Sequence, residues 1–336
     1  MKRNIIIYTA ALMLLSLASC SKITLDSHRE SDIIGYNVVT TTGESAPTKA
    51  ASAFPTTSSF ISSAYVLTST QNWDNDAASA APEFGPEEVK WQATYWSTDT
   101  PHYWDASKKL TFFSYAPASL QSLGLSISRE GVKVDGWDVT DANYQDKAIL
   151  VADIAKDKTK NESYAGLNGV PTHFRNKLCK LTFRVAASDL VDEGTEVYLK
   201  KATLRGFYTK GNYAKGGTGA ESWGNRDNQQ TDYVLFESTG TDGDILTADY
   251  KDEEKIMIPQ STTGITLTIE YRTKIGTTVK DETVTLSIND DFRSGIWGMG
   301  QHITYSMKIG AGRIPILFDG SAEEWKAVDG GIIEIE

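Results

Sequence analysis

Ile265-Thr-Leu-Thr-Ile-Glu-Tyr271 places Ile265, Leu267, Ile269 and Tyr271 on one side of an extended chain and Thr266, Thr268 and Glu270 on the other. A period of two over seven residues, carried by β-branched and aromatic types, specifies a half-buried strand. Ile303-Thr-Tyr-Ser-Met-Lys-Ile309 repeats the pattern, turning Thr304, Ser306 and Lys308 to water. Cys179-Lys-Leu-Thr-Phe-Arg-Val185 does so again and puts Cys179 on the buried face with Leu181 and Phe183. Cys179 is therefore expected to be a small core residue and not a nucleophile.

Strands are also expected at Ile33–Thr40, Phe60–Ser69, Val89–Trp96, Leu110–Tyr115, Leu125–Val134, Ala148–Ala152, Val197–Phe207 and Tyr233–Glu237. Clusters of Gly, Asn, Asp, Ser and Thr separate them, as turns do. No window sustains an apolar i, i+3, i+4, i+7 stripe, and only short helical turns are expected, near Asp74–Ala81 and Asp249–Glu254. The pattern predicts an all-β chain of sandwiches.

The N-terminus reads as an export signal. Lys2 and Arg3 precede an apolar run from Ile5 to Ala18, shorter than the roughly 20 residues that span a bilayer. The run ends in Leu17-Ala18-Ser19-Cys20, which looks like a lipobox, so residues 1–19 are expected to be removed and Cys20 to carry palmitate-type acyl chains. Several such chains hold a protein on a membrane at about 0.8 kcal/mol per buried CH₂. Beyond Cys20 only Cys179 remains, so no disulfide is expected within the mature chain. The roughly 315 residues after the signal suggest two domains of common size. Polar stretches at residues 41–53 and 157–163 mark breaks, and the boundary is expected near residue 172. The formal charge of −11 and the lack of a basic cluster exclude a nucleic-acid footprint.

A search for chemistry finds no catalytic constellation. None of the four histidines pairs with another at metal-ligand spacing, and there is no H-E-x-x-H or G-x-S-x-G. Lys215-Gly-Gly-Thr-Gly219 lacks the order of a phosphate-cradling loop and reads as surface loop. Asp242, Asp244, Asp249 and Asp252 offer oxygen atoms but fit no EF-hand spacing. No metal, cofactor or catalytic residue is expected. Trp91, Tyr95, Trp96, Tyr103 and Trp104 crowd one stretch, as core filling or as an exposed stacking surface.

Several short blocks, in order, resemble the fimbrillin-like family of Bacteroides-type surface lipoproteins, the subunits of type V pili. They are Trp91-Gln-Ala-Thr-Tyr-Trp96, Leu110-Thr-Phe-Phe-Ser-Tyr-Ala-Pro117 and His173-Phe-Arg-Asn-Lys-Leu-Cys-Lys-Leu-Thr-Phe-Arg-Val185. Ile258-Pro-Gln260, Trp297-Gly-Met-Gly-Gln-His-Ile-Thr-Tyr305 and Trp325 with Gly330-Gly331 complete the set. Asn176 stands where the family usually has His, and no proline follows Trp96.

The resemblance implies two transthyretin-like β-sandwich domains in tandem, residues 50–172 and 173–336, preceded by a propeptide segment, residues 20–49, that carries the first strand. It implies a lipidated precursor at the outer membrane whose first strand is removed by a protease and replaced by a neighbouring subunit's strand. Lys49 is the expected processing site, with Arg29 as the alternative, although the family usually cleaves after Arg. The expected partners are other fimbrial subunits, the outer membrane, the processing protease and a host or bacterial surface ligand. In the tail Ile332-Ile-Glu-Ile-Glu336, Ile333 and Ile335 share one face, which suits either a donor strand or pairing within the chain's own sandwich. The competing reading is a glycan-binding outer-membrane lipoprotein.

Overall fold

Continuous apolar and small runs such as Leu110-Thr-Phe-Phe-Ser-Tyr-Ala116 are what strands buried on both faces require, and the fold is arranged around two of them. In a computed structural model, residues 32–40, 52–160, 169–189, 193–288, 295–310 and 317–324 are described. The candidate sites Cys20, Arg29 and Lys49, Trp325 and the 330–336 tail lie outside the described residues.

From strand β6 (Lys108–Ala116) the ladder passes to β3 (Phe60–Thr68), β4 (Ala81–Trp91), β5 (Trp96–Thr98) and β1 (Tyr36–Thr40). It continues to β11 (Val170–Asn176) and β9 (Leu150–Ala152), which pairs β6 again, so the path closes into a ring. β10 (Ala155–Lys158) also pairs β6, and β2 (Ser52–Ala53) pairs β1.

The remaining strands form a sandwich and a bridging sheet. In one layer β12 (Cys179–Ala187) stands between β18 (Lys251–Met257) and β23 (Gln301–Ile309), with β24 (Leu317–Glu324) outside β23. In the other, β13 (Thr195–Arg205) lies between β20 (Thr266–Ile275) and the edge strands β16 (Tyr233–Glu237) and β17 (Asp244–Ile245), and β21 (Thr278–Ser287) lies outside β20. The two layers bury Leu181, Phe183, Ile303 and Tyr305 against Leu199, Leu204, Leu267 and Ile269. The third sheet runs β7 (Ser126–Ser128), β8 (Gly131–Asp138), β14 (Tyr208–Gly216), β15 (Glu221–Gln229), and β19 (Gln260–Ser261) pairs β22 (Ile296–Trp297).

Period two sorts β3 and β6 between two cores. Phe60, Ala64, Leu110 and Phe112 point into the ring with Tyr36, Trp96 and Phe174. Ile61, Tyr65, Phe113 and Tyr115 point the other way, into the core shared with Trp137, Tyr213 and the sandwich. Residue 172, the expected domain boundary, falls inside β11, and the bridging sheet takes strands from both sides of it.

The three strands read first from the sequence are present, and the all-β architecture stands as expected. Several other elements differ. Val89–Trp96 is two strands with a turn between them, since the Gln92 amide donates to the Tyr95 carbonyl (2.7 Å) and Ala93 is left-handed at φ 66°. Leu125–Val134 is likewise a hairpin, β7–β8. Asp249–Glu254 is no helical turn but the start of β18, whose ladder to β12 runs from Met257↔Cys179 to Lys251↔Val185. Near Asp74–Ala81 the expected helical turns are found as α1 (Trp73–Asp76) and a 3₁₀ turn. Asn72 caps α1, its side chain accepting from the Asn75 amide (3.1 Å). Of the expected surface loop Lys215–Gly219, Lys215 and Gly216 end β14, with Lys215 buried, and the turn to β15 starts at Gly217, whose carbonyl accepts from the Trp73 indole (2.8 Å).

Candidate functional site

β1 alternates between buried and partly exposed, as Tyr36-Asn-Val-Val-Thr40 should at period two. Ile34, Tyr36 and Val38 are buried in the ring's core. The Tyr36 ring meets Phe60 edge-on at 5.3 Å and Phe112 at 5.9 Å. Its hydroxyl donates to Ser62 Oγ (3.1 Å), which with Ser114 Oγ (2.9 Å) and the Phe113 carbonyl (3.3 Å) forms a buried polar chain. Burial drives the Tyr36 hydroxyl well above its ordinary pKa, although the bond to Ser62 pulls the other way. It stays a neutral donor.

The two edges of β1 are unequal. Along one it pairs β11 in parallel register from Tyr36↔Val170 to Thr40↔Phe174. Along the other it meets β5 at Tyr36↔Trp96 and β2 at Val39↔Ala53 and Thr40↔Ser52. Before the strand, the Ile34 amide donates to the His102 carbonyl (2.8 Å) and the Trp104 amide to the Asp32 carbonyl (2.9 Å). Lys160 adds an ion pair to Asp32 at 2.7 Å. Gly169 shows how tight the contact is. A Cβ there would lie 2.8 Å from the Gly35 carbonyl oxygen, and φ is +111°.

Burial of Ile34, Tyr36 and Val38 contributes about 1.5–3 kcal/mol each, so the strand is held by roughly 5–9 kcal/mol of apolar burial, an upper bound. Without β1 the ring would present a slot walled by Phe60, Phe112, Trp96 and Phe174. Phe54 packs at the slot's end, 5.2 Å from Phe174 and 5.4 Å from Trp96. Phe54 was not singled out in the sequence. The signal was there: an isolated aromatic just after a small, polar run.

The crowded aromatics divide. Trp96 is core, Trp104 packs partly buried against the same core 5.9 Å from Phe112, and Tyr103 bridges Ile33. Trp91 is 37% exposed and meets Trp96 edge-on. Cys179 is fully buried and its thiol donates to the Met257 carbonyl (3.3 Å), with burial driving its pKa far up. The four aspartates are not brought to one centre. Asp242 pairs Arg272, Asp244 pairs Lys251 and Asp252 pairs Arg184. Among the described residues no group of three or more His, Cys, Asp or Glu forms a metal-holding cluster, and no helix is long and apolar enough to cross a membrane.

The model of the fimbrillin-like family matches residues 53–325. The chain belongs to the fimbrillin-like family. Among solved structures, a fimbrial protein from Bacteroides vulgatus is 18% identical, covers 88% of this chain and 100% of its own, and superposes with a TM-score of 0.61. A candidate cell adhesion protein from Bacteroides uniformis is 17% identical, with coverage of 88% and 99% and a TM-score of 0.52. At these identities the likeness is one of fold. No curated protein matches this fimbrillin-like chain by sequence. The family match begins at Ala53, just after β2 starts, and so leaves β1 outside it.

Proposed function

We propose that the protein is a structural or adhesive subunit of a cell-surface fimbria, exported as a lipoprotein through Cys20 and assembled by exchange of its first strand. Family membership supports the fimbrial part. One observation carries the rest. β1 completes the ring's apolar core, yet its covalent link onward to β2 runs through residues 41–51, the small polar stretch that contains Lys49. Cutting after Lys49 leaves the strand held by noncovalent contacts alone and makes residues 20–49 the detachable segment, whereas a cut at the alternative Arg29 would release only residues 20–29 and keep β1 on the chain.

Because β1 contributes several kcal/mol of burial, it does not simply fall away. It has to be displaced by a strand that offers the ring equivalent side chains, as in β-augmentation. The tail supplies two such side chains, Ile333 and Ile335. In this reading two sandwich units, residues 50–172 and 173–336, form the subunit at the cell surface, and its partners are further fimbrial subunits, the outer membrane, the processing protease and a surface ligand.

The test combines processing and truncation. Sheared surface material is sequenced from its N-terminus and is expected to begin at Ala50, and Cys20→Ala is expected to leave the membrane fraction. Deleting Gly331–Glu336 is expected to leave the melting temperature unchanged and to abolish polymer ladders after processing. Ladders that persist in the truncated protein refute the donor role of the tail. Surface material consisting only of uncut lipoprotein refutes strand removal.

A further inference from the structure

β16 ends one layer of the sandwich and β18 ends the other. The segment after β8 lies across this open side and leaves a cleft of about 260 Å³. Thr140, Gln145 and Asp146 line it from the segment, and Tyr233, Glu254 and Lys255 from the strands.

The segment is well tied down. The Val139 amide donates to the Thr209 carbonyl (3.0 Å), and the Tyr144 and Gln145 amides both donate to the Asp141 carbonyl, at 2.9 and 2.8 Å. Tyr144 packs on the buried Trp137 with ring centroids 4.6 Å apart. Asp146 is left-handed at φ 59°, a conformation that Asp and Asn tolerate better than most residues. Across the cleft Tyr233 is fixed by Phe207, 5.3 Å away and perpendicular to it.

Three polar side chains around this cleft are free to exchange solvent for a ligand. The Gln145 amide, the Asp146 carboxylate and the Tyr233 hydroxyl have no hydrogen-bond partner among the described residues. Lys255 is half-buried and paired with Glu253 (2.5 Å), and Glu254 with Lys180 (2.8 Å). The carboxylates of Asp146, Glu253 and Glu254 outnumber the ammonium groups of Lys255 and Lys180, so the cleft repels phosphate and acidic sugars. An unpaired amide, carboxylate and phenol supply both donors and acceptors beside an aromatic ring. A ligand that suits them is small and neutral, carries hydroxyls that both give and take hydrogen bonds, and has an apolar C–H face for the ring.

We propose that this cleft is a subsite for one neutral pyranose of a glycan chain. No residue of the β1 slot lines it, so the proposal stands or falls independently of strand exchange. The purified full chain is titrated with neutral hexoses and N-acetylhexosamines and followed by saturation-transfer NMR, with uronic acids and a lysine-rich peptide as comparison ligands. Saturation is expected to reach the ring protons of at least one neutral sugar. Gln145→Ala is expected to weaken its binding about tenfold, roughly one lost hydrogen bond, and Asp146→Asn, which keeps one acceptor oxygen, about two- to threefold. Both positions are exposed, so these variants fold, and an unchanged circular dichroism spectrum verifies it. Tyr233→Ala is expected to abolish binding. Lack of binding by every neutral sugar at tens of millimolar overturns the proposal. So does equal binding by both loop variants, or binding of only the uronic acids or the peptide.

Discussion

Lys177, Lys215 and Arg175 meet Glu221 and Asp153 where β11 runs into β12, three cations against two carboxylates. The Lys177 and Lys215 side chains are only 2% and 7% exposed. Lys177 lies 3.0 Å from Glu221, Lys215 lies 3.8 Å from the same carboxylate, and the buried Tyr213 hydroxyl donates to it at 2.9 Å. Neutralising Glu221 therefore leaves the desolvated Lys177 ammonium without its counter-ion and the equally desolvated Lys215 with Asp153 alone, 3.7 Å away. Removing Lys177 leaves Glu221 with Lys215 and Tyr213. Breaking a buried pair from the side that strands charge costs about 3–5 kcal/mol, so Glu221→Gln is expected to fall in that range. Lys177→Met keeps most of the stem's volume and removes the surplus cation, and is expected to cost less than about 1.5 kcal/mol.

Guanidinium unfolding at neutral pH measures both. Burial pushes the Glu221 carboxyl up, but Lys177 and Lys215 pull it further down, so its folded pKa lies below the ordinary value. The unfolded chain then binds the proton more readily, and the contribution of Glu221 is present above the ordinary carboxylate pKa and lost as pH falls through the depressed one. The gap between wild type and Glu221→Gln is expected to narrow across that acid range. If Lys177→Met costs as much as Glu221→Gln, or if the gap is independent of pH, two lysines do not depend on one carboxylate.

Other outcomes follow from single positions. Phe60→Ala, which opens the floor beneath Tyr36, is expected to cost about 3–5 kcal/mol in chemical denaturation, whereas Trp91→Ala, 37% exposed, should stay near 1 kcal/mol or below. Gly131→Ala would bring a Cβ to 1.9 Å from the Lys215 carbonyl oxygen at φ +132°, so it is expected to separate β8 from β14 and lower the melting temperature more than Phe60→Ala does. The Cys179 thiol is expected to resist Ellman's reagent until the chain unfolds, and reaction in the folded state at the unfolded rate would contradict its burial.

Strands with a regular apolar alternation were legible in the sequence because one face had to be buried. β12, β20 and β23 are of that kind. The strands that escaped notice owe their extension to neighbours instead. Tyr208-Thr-Lys-Gly-Asn-Tyr-Ala-Lys-Gly216 has few apolar residues, yet β14 is held between β8 and β15. Glu221–Gln229 is more polar still, and Trp223, whose indole donates to the Lys177 carbonyl (2.6 Å), is its one buried residue. Lys251-Asp-Glu-Glu-Lys255 resembles an exposed helical turn because an edge strand with alternating charges has no local feature to mark it. In the slot, β1 itself was legible as a strand. The slot's walls were not, since Phe60, Trp96, Phe112 and Phe174 are scattered over more than a hundred positions. The Gln145–Tyr233 cleft joins a turn to two distant edges and left no pattern at all.

Phe112 and Phe113 are adjacent in sequence but face different cores, and so do Phe60 and Ile61. β3 and β6 thus act as a party wall between two rooms. If β1 is withdrawn from one room, as proposed above, the wall is expected to relax toward the vacancy and the other room to repack Phe113 and Ile61. Trp73 stands on that far side, 5.5 Å from Phe113, so in a variant that keeps Trp73 as its single tryptophan the fluorescence would report from one core what happens in the other. The proposed exchange of one strand would in this way be felt by a core that the strand never touches.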